Sequence, residues 1–111
     1  MAVPTCLVPG AGLSDPAADF RSAKKIEQYR LSSQALYIPA GLRWNYIPFS
    51  AVISAEDSHR TISAGHCVTV EVKRAEIDLT TSAGITSVAL DREADMQTIL
   101  NAIAAAKAKN V

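Results

Sequence analysis

The sequence predicts a mainly β domain with α, in which a partly open barrel of about seven antiparallel strands is capped by a C-terminal helix. Two changes of period carry this expectation. In Val68-Thr69-Val70-Glu71-Val72-Lys73 the apolar residues fall on every second position, as on a strand with one buried face. In Met96, Ile99, Leu100 and Ile103 they follow the i, i+3, i+4, i+7 spacing of a helix face. A third observation is the series of about seven short β-rich runs punctuated by Gly, Pro and Ser, too many short strands for anything but a barrel or sandwich.

Composition bounds the rest. A chain of 111 residues, 49% hydrophobic, forms one domain that buries about two-thirds of its unfolded surface without disulfides. Eleven basic residues balance eleven acidic ones, so no global field steers the protein to nucleic acid or to an anionic membrane. The two cysteines, Cys6 and Cys67, are too few for a secreted disulfide framework and read as reduced thiols. No stretch approaches the ~20 apolar residues of a membrane span, and the N-terminus lacks the basic start and apolar run of a secretion signal, so a cytoplasmic protein is expected.

Residues 1–24 read as an irregular lead-in with a short helix, and residues 25–111 as the domain. Pro4, Pro9, Gly10 and Gly12 break any period in the first segment. Asp15-Pro16 is a helix start: Asp15 can cap free amides, and Pro16 suits the first helical position, where its missing N–H is not needed. Lys25 to Ser32 forms a weakly patterned strand. Ala35 to Pro39 and Leu42 to Ile47 form a hairpin around Ala40-Gly41, and Pro39 and Pro48, which cannot donate to a ladder, mark strand ends. Tyr-Ile-Pro occurs at Tyr37 and at Tyr46, one copy on each arm of this hairpin, a recurrence that chance or paired strand ends explains.

Phe49 to Ser54 and His59 to Ser63 are expected as further short strands. A meander of Cys67 to Lys73, Glu76 to Thr81 and Ile85 to Leu90 follows, with turns at Arg74-Ala75 and Ser82-Ala83-Gly84. The last element, Asp91 to Ala106, has Asp91 at its cap, Glu93 and Asp95 in its first turn, and Lys107 and Lys109 at its end, so charge opposes the macrodipole at both ends. Burying Met96, Ile99, Leu100 and Ile103 contributes on the order of 6–12 kcal/mol as an upper bound, which requires this helix to pack on the sheet.

A meander of short strands closed by one C-terminal helix resembles the pleckstrin-homology-like (PH-like) fold, in particular its small bacterial versions. The residues that carry the likeness are Tyr37-Ile38-Pro39-Ala40-Gly41-Leu42-Arg43-Trp44-Asn45-Tyr46-Ile47-Pro48-Phe49-Ser50-Ala51-Val52, where strands end in Ile-Pro and a polar residue precedes an apolar one, together with the Asp91 to Ala106 helix. The resemblance implies a binding or scaffolding module. Members that bind phosphoinositides crowd basic residues into the loop between their first two strands. Here that loop is Ser32-Ser33-Gln34 beside Arg30, so the lipid-binding pattern is missing.

Candidate chemistry is sparse. His59, His66 and Cys67 form the one group with metal-ligand chemistry, but with Cys6 they supply neither the short paired spacings nor the closed set of a zinc site, so no metal and no cofactor are expected. Cys67 as a nucleophile needs a base, and the adjacent His66 points to the opposite strand face. Arg21, Lys24, Lys25 and Arg30 make a basic group interrupted by Asp15, Asp19 and Glu27, which reads as a solvated face. Glu56, Asp57, Glu76 and Asp78 are placed on exposed strand faces or loops. Arg43, Trp44 and Tyr46 are the expected binding residues, on an aromatic hairpin interrupted by Gly41 and two prolines. With no catalytic constellation in view, the expected function is a non-catalytic module that binds a protein partner or its own copy and no nucleic acid. The alternative is a small-ligand or lipid-headgroup binder, or a small enzyme, using a pocket in the barrel.

Overall fold

A computed structural model describes residues 3–57, 60–62 and 72–109. The chain order is β1 (Thr5–Cys6), α1 (Pro16–Ser22), β2 (Lys24–Ile26), β3 (Tyr29–Leu31), β4 (Ala35–Ala40), β5 (Arg43–Pro48), a 3₁₀ turn (Phe49–Ala51), β6 (Ser54–Asp57), β7 (Arg60–Ile62), β8 (Val72–Thr81), β9 (Gly84–Leu90) and α2 (Glu93–Lys109). Among the described residues the architecture is mixed α/β, with two sheets, two helices and the expected helix near the C-terminus. Five strands form the first sheet in the order β1-β5-β4-β3-β2, antiparallel except for the parallel β1–β5 pair. In the second, β8 carries β9 on one edge and β6 and β7 in succession on the other. The register is continuous along that edge, with Asp57 opposite Ile77 and Arg60 opposite Arg74.

The two sheets do not close into a barrel. The chain leaves β5 at Pro48, which has no N–H for a further ladder bond, and the expected Phe49 to Ser54 strand is a 3₁₀ turn instead. Phe49 N–H donates to Gln34 O at 2.8 Å, and the side chains of Phe49 and Val52 both enter the core, a spacing of three that a strand could not bury on one face. Ile53 N–H then donates to Thr80 O at 2.7 Å and opens the second sheet.

Three further expectations give way to tertiary contacts. Lys25 to Ser32 is a hairpin of two three-residue strands rather than a single strand. It turns at Glu27, whose φ of 54° is the left-handed region that side chains rarely adopt. The Glu27 carboxylate accepts from Asp91 N–H at 2.7 Å and from Arg92 N–H at 3.3 Å, and this attachment offsets the backbone cost. It also revises the cap of α2. Arg92, not Asp91, precedes the first helical residue, its carbonyl accepting from Met96 N–H at 3.2 Å, and the acid serving the helix entry is Glu27. The turn expected at Arg74-Ala75 is absent because β8 runs straight through: Arg74 pairs with Arg60, and Ala75 is buried opposite Leu90.

The main core lies between the sheets and α2. Leu36 and Ile47 from the first sheet meet Ile77, Leu79, Val88 and Leu90 from the second, with Met96, Ile99 and Ile103 closing from the helix. Leu100 packs only against the edge of this core. The lead-in is part of the same body, since Val8 is buried in the core and Cys6 pairs with Tyr46 across the β1–β5 ladder. A second, smaller cluster sits on the opposite face of the first sheet, where Ala35, Tyr37 and Tyr46 are covered by α1 through Phe20 and by Leu13. With both faces covered, β4 and β5 are buried over consecutive residues, and strand alternation sorts aliphatic side chains to one face and tyrosines to the other. Asp15 caps α1 as the sequence predicts, its Oδ1 accepting from Ala18 N–H at 3.1 Å. Among the described residues no helix is long and apolar enough to cross a membrane.

Candidate functional site

The chemistry-bearing side chains gather on the α1 face of the first sheet. At the centre is Asp19, buried although it sits on a short surface helix, because the second turn of α1 lies against the Ser32–Ala35 corner of the sheet. Its Oδ2 accepts from Ser32 Oγ at 2.6 Å and from Tyr37 Oη at 2.5 Å, and its Oδ1 accepts from Gln34 Nε2 at 3.3 Å. Ser32 Oγ in turn accepts from Gln34 N–H at 3.0 Å and Ala35 N–H at 2.9 Å, which shapes the β3–β4 corner. The serine oxygen is therefore saturated, and Asp19 acts as the anchor that fixes α1 to the sheet. An open cleft of about 280 Å³ beside the cluster is lined by residues including Leu13, Asp15, Asp19, Ser22 and Gln34. It is a surface feature next to α1 and is not enclosed between the two sheets.

Three tyrosines are held neutral beyond their usual range. Burial raises the Tyr37 hydroxyl far above it, and the hydrogen bond to Asp19 and that residue's charge act in the same direction. Burial likewise raises Tyr46, opposed by Leu13 N–H donating to its Oη at 3.0 Å, and raises Tyr29, opposed by the bond it donates to Ala89 O at 2.8 Å. That last bond ties β3 to β9 where the two sheets approach.

The same face carries a cation among aromatic rings. Arg30 pairs across the ladders with Lys25 on one side and Tyr37 on the other, so these three side chains share a face. The Arg30 guanidinium lies 5.2 Å from the Phe20 ring centre and 5.7 Å from that of Trp44, within cation–π range of both. The two rings are 5.1 Å apart and tilted by 53°, while Phe20 meets Tyr37 edge-on at 5.1 Å.

The expected binding residues are dispersed by the strand period. Trp44 is half-buried beside Phe20 on the α1 face. Arg43 is exposed at the tip of the β4–β5 hairpin, and alternation aims it at the other face. Tyr46 is 2% exposed, its ring 5.5 Å from that of Tyr37, so it packs inside the second cluster and does not share a surface with Arg43. The two copies of Tyr-Ile-Pro stand with their tyrosines directly opposite in the ladder. Between the strands Gly41, at φ 65°, supplies the left-handed turn residue, and the next residue, Leu42, is fully exposed.

The acids are also redistributed. Glu76 is buried, contrary to its expected exposure; Glu56 and Asp57 are exposed, and Asp78 accepts from Ser87 Oγ at 2.8 Å. Cys6 is a half-buried free thiol whose Sγ donates to Val8 O at 3.1 Å. His59, His66 and Cys67 lie outside the described residues, and among those described no group of three metal-ligating side chains gathers. The Asp19 cluster escaped the sequence reading because its members carry no joint local signal: Ser32 and Tyr37 lie 13 and 18 residues from Asp19. No protein-family model, curated protein or solved structure matches this chain.

Proposed function

We propose that this chain is a non-catalytic, cytoplasmic binding module related to the PH-like domains, which acts by docking a protein partner or a second copy of itself. The observation that carries the reading is the tip of the β4–β5 hairpin, where Leu42 is fully exposed between Gly41 and the exposed Arg43, with Trp44 half-buried behind them. A fully exposed apolar side chain at a hairpin tip, with a guanidinium and an indole next to it in the sequence on opposite faces of the strand, has the composition of an interface anchor. The polar cluster supports the same reading. Asp19 spends both oxygens on internal donors and Ser32 Oγ is saturated, so the pair holds α1 in place and offers neither a free base nor a free nucleophile. The likeness to a PH-like barrel rests on the C-terminal helix packed into the core and on the approach of the two sheets at Tyr29 and Ala89.

Leu42→Ser and Trp44→Ala test the proposal, with circular dichroism to establish that each folds. The expected result is loss of the partners that co-purify with the wild-type protein from its host, or a shift to a smaller sedimenting species. Unchanged partners and unchanged sedimentation in both variants overturn it.

A further inference from the structure

We infer that the Lys25–Arg30–Trp44 face of the first sheet is a docking site for an acidic peptide segment, recognised through its carboxylates. The inference rests on the binding-module reading above and supplies the chemistry of the partner.

The acids of this half of the molecule are tied up in internal contacts. Residues 1–50 contain five basic side chains, Arg21, Lys24, Lys25, Arg30 and Arg43, and three acidic ones, Asp15, Asp19 and Glu27. Along the sequence the acids interrupt the bases. In the structure each acid hydrogen-bonds to neutral groups instead: Asp15 to the amide of Ala18, Asp19 to Ser32, Gln34 and Tyr37, and Glu27 to the amides of Asp91 and Arg92. Their oxygens are drawn into capping α1, anchoring α1 and capping α2. The cations keep the surface.

Arg30 then has the arrangement an anion receptor requires. Two aromatic rings within 6 Å hold the guanidinium by cation–π contact, which cuts the entropy lost when it binds. Cation–π contact uses none of the guanidinium's N–H donors, so its fork can still grip a carboxylate with two parallel bonds. Lys25, exposed and directly opposite Arg30 in the β2–β3 ladder, adds a second charge on the same side. The half-buried indole of Trp44 supplies apolar area next to the two charges, as a peptide side chain needs. Charge complementarity and the aromatic floor together favour a carboxylate-bearing peptide with an apolar residue beside its acids.

Trp44 is the only tryptophan of the chain, so the site carries its own reporter. The experiment titrates hexaglutamate into the protein and follows tryptophan emission. The expected result is a saturable change by about 1 mM peptide, weakening as salt rises from about 0.1 M to about 1 M and the Debye length falls from about 10 Å to about 3 Å. Arg30→Gln, with its fold established by circular dichroism, weakens binding about tenfold or more, as loss of a charge-assisted bond predicts. Arg30→Lys recovers only part of it because the fork is lost. Arg92→Gln, an exposed charge at the entry of α2, leaves binding unchanged. An emission that does not respond, or binding that survives Arg30→Gln, overturns the inference. So does tighter binding to inorganic phosphate or to phosphatidylglycerol vesicles than to hexaglutamate, which would make phosphate the recognised group. Failure here, with host partners still lost on Leu42→Ser, leaves the binding-module reading standing and removes only its acidic-peptide form.

Discussion

Replacing Asp19 with alanine is the sharpest test of the idea that a buried carboxylate fastens α1 to the first sheet. Three donors converge on it, from Ser32, Tyr37 and Gln34. Bonds to an ionised acceptor contribute about 1.5–3 kcal/mol each, but the sum is not lost in full because the donors have other recourse. Ser32 Oγ already lies 3.3 Å from Ala35 O, Tyr37 Oη lies 3.4 Å from Pro16 O, and the exposed Gln34 returns to water. What remains is two buried hydroxyls with long, poor bonds, at about 1–3 kcal/mol apiece, so Asp19→Ala should cost about 2–6 kcal/mol. At about 4 °C per kcal/mol, a domain of this size should lose roughly 8–24 °C in Tm. Urea unfolding followed by circular dichroism gives the free energy, and a cycle with Tyr37→Phe isolates the shared bond. The double variant should cost at least about 1 kcal/mol less than the sum of the singles, since each substitution already removes the contact. A loss below about 0.5 kcal/mol, the range of an ordinary surface change, would refute the anchoring role and return Asp19 to the solvated face expected from sequence.

Two other expectations follow from the core and from the tyrosines. Ile99, fully buried on the core face of α2, should lose about 2–5 kcal/mol on Ile99→Ala, whereas Leu100→Ala should lose clearly less because that side chain only borders the core; equal losses in urea unfolding would contradict the orientation of α2. Alkaline stability should fall above about pH 10. Tyr29, Tyr37 and Tyr46 all have raised folded values, so the unfolded chain releases phenolic protons that the folded chain keeps: their contribution is fully present below about pH 10 and declines as pH rises toward the folded values, by up to about 1.4 kcal/mol per pH unit for each tyrosine. Tyr37→Phe should flatten that slope by one proton in pH-dependent urea titrations, and an unaltered slope would show that Tyr37 ionises freely in the folded state.

The sequence by itself determined the elements whose signals are local. Asp15-Pro16 set the start of α1, Gly41 the turn between β4 and β5, Ser82-Ala83 the turn between β8 and β9, and the Met96/Ile99/Ile103 spacing the buried face of α2. In each case the residues that specify the conformation are the residues that adopt it, through a cap, a permitted backbone angle or a period. Tertiary structure alone decided the rest. The left-handed turn at Glu27 exists because its carboxylate reaches amides 64 and 65 residues away, and the straight run of β8 through Arg74-Ala75 exists because both residues find ladder partners on other strands. Phe49 forms a 3₁₀ turn where its propensity reads as strand, because burying Phe49 and Val52 in one core outweighs the local preference. The candidate site belongs to this second class. Residue types placed Trp44 and Arg30 among the aromatic and basic groups, but only the packing of α1 on the sheet set Arg30 among the rings and turned Asp19 inward, since the energy of a buried hydrogen bond or a stacked cation depends on partners that the chain brings together from a distance.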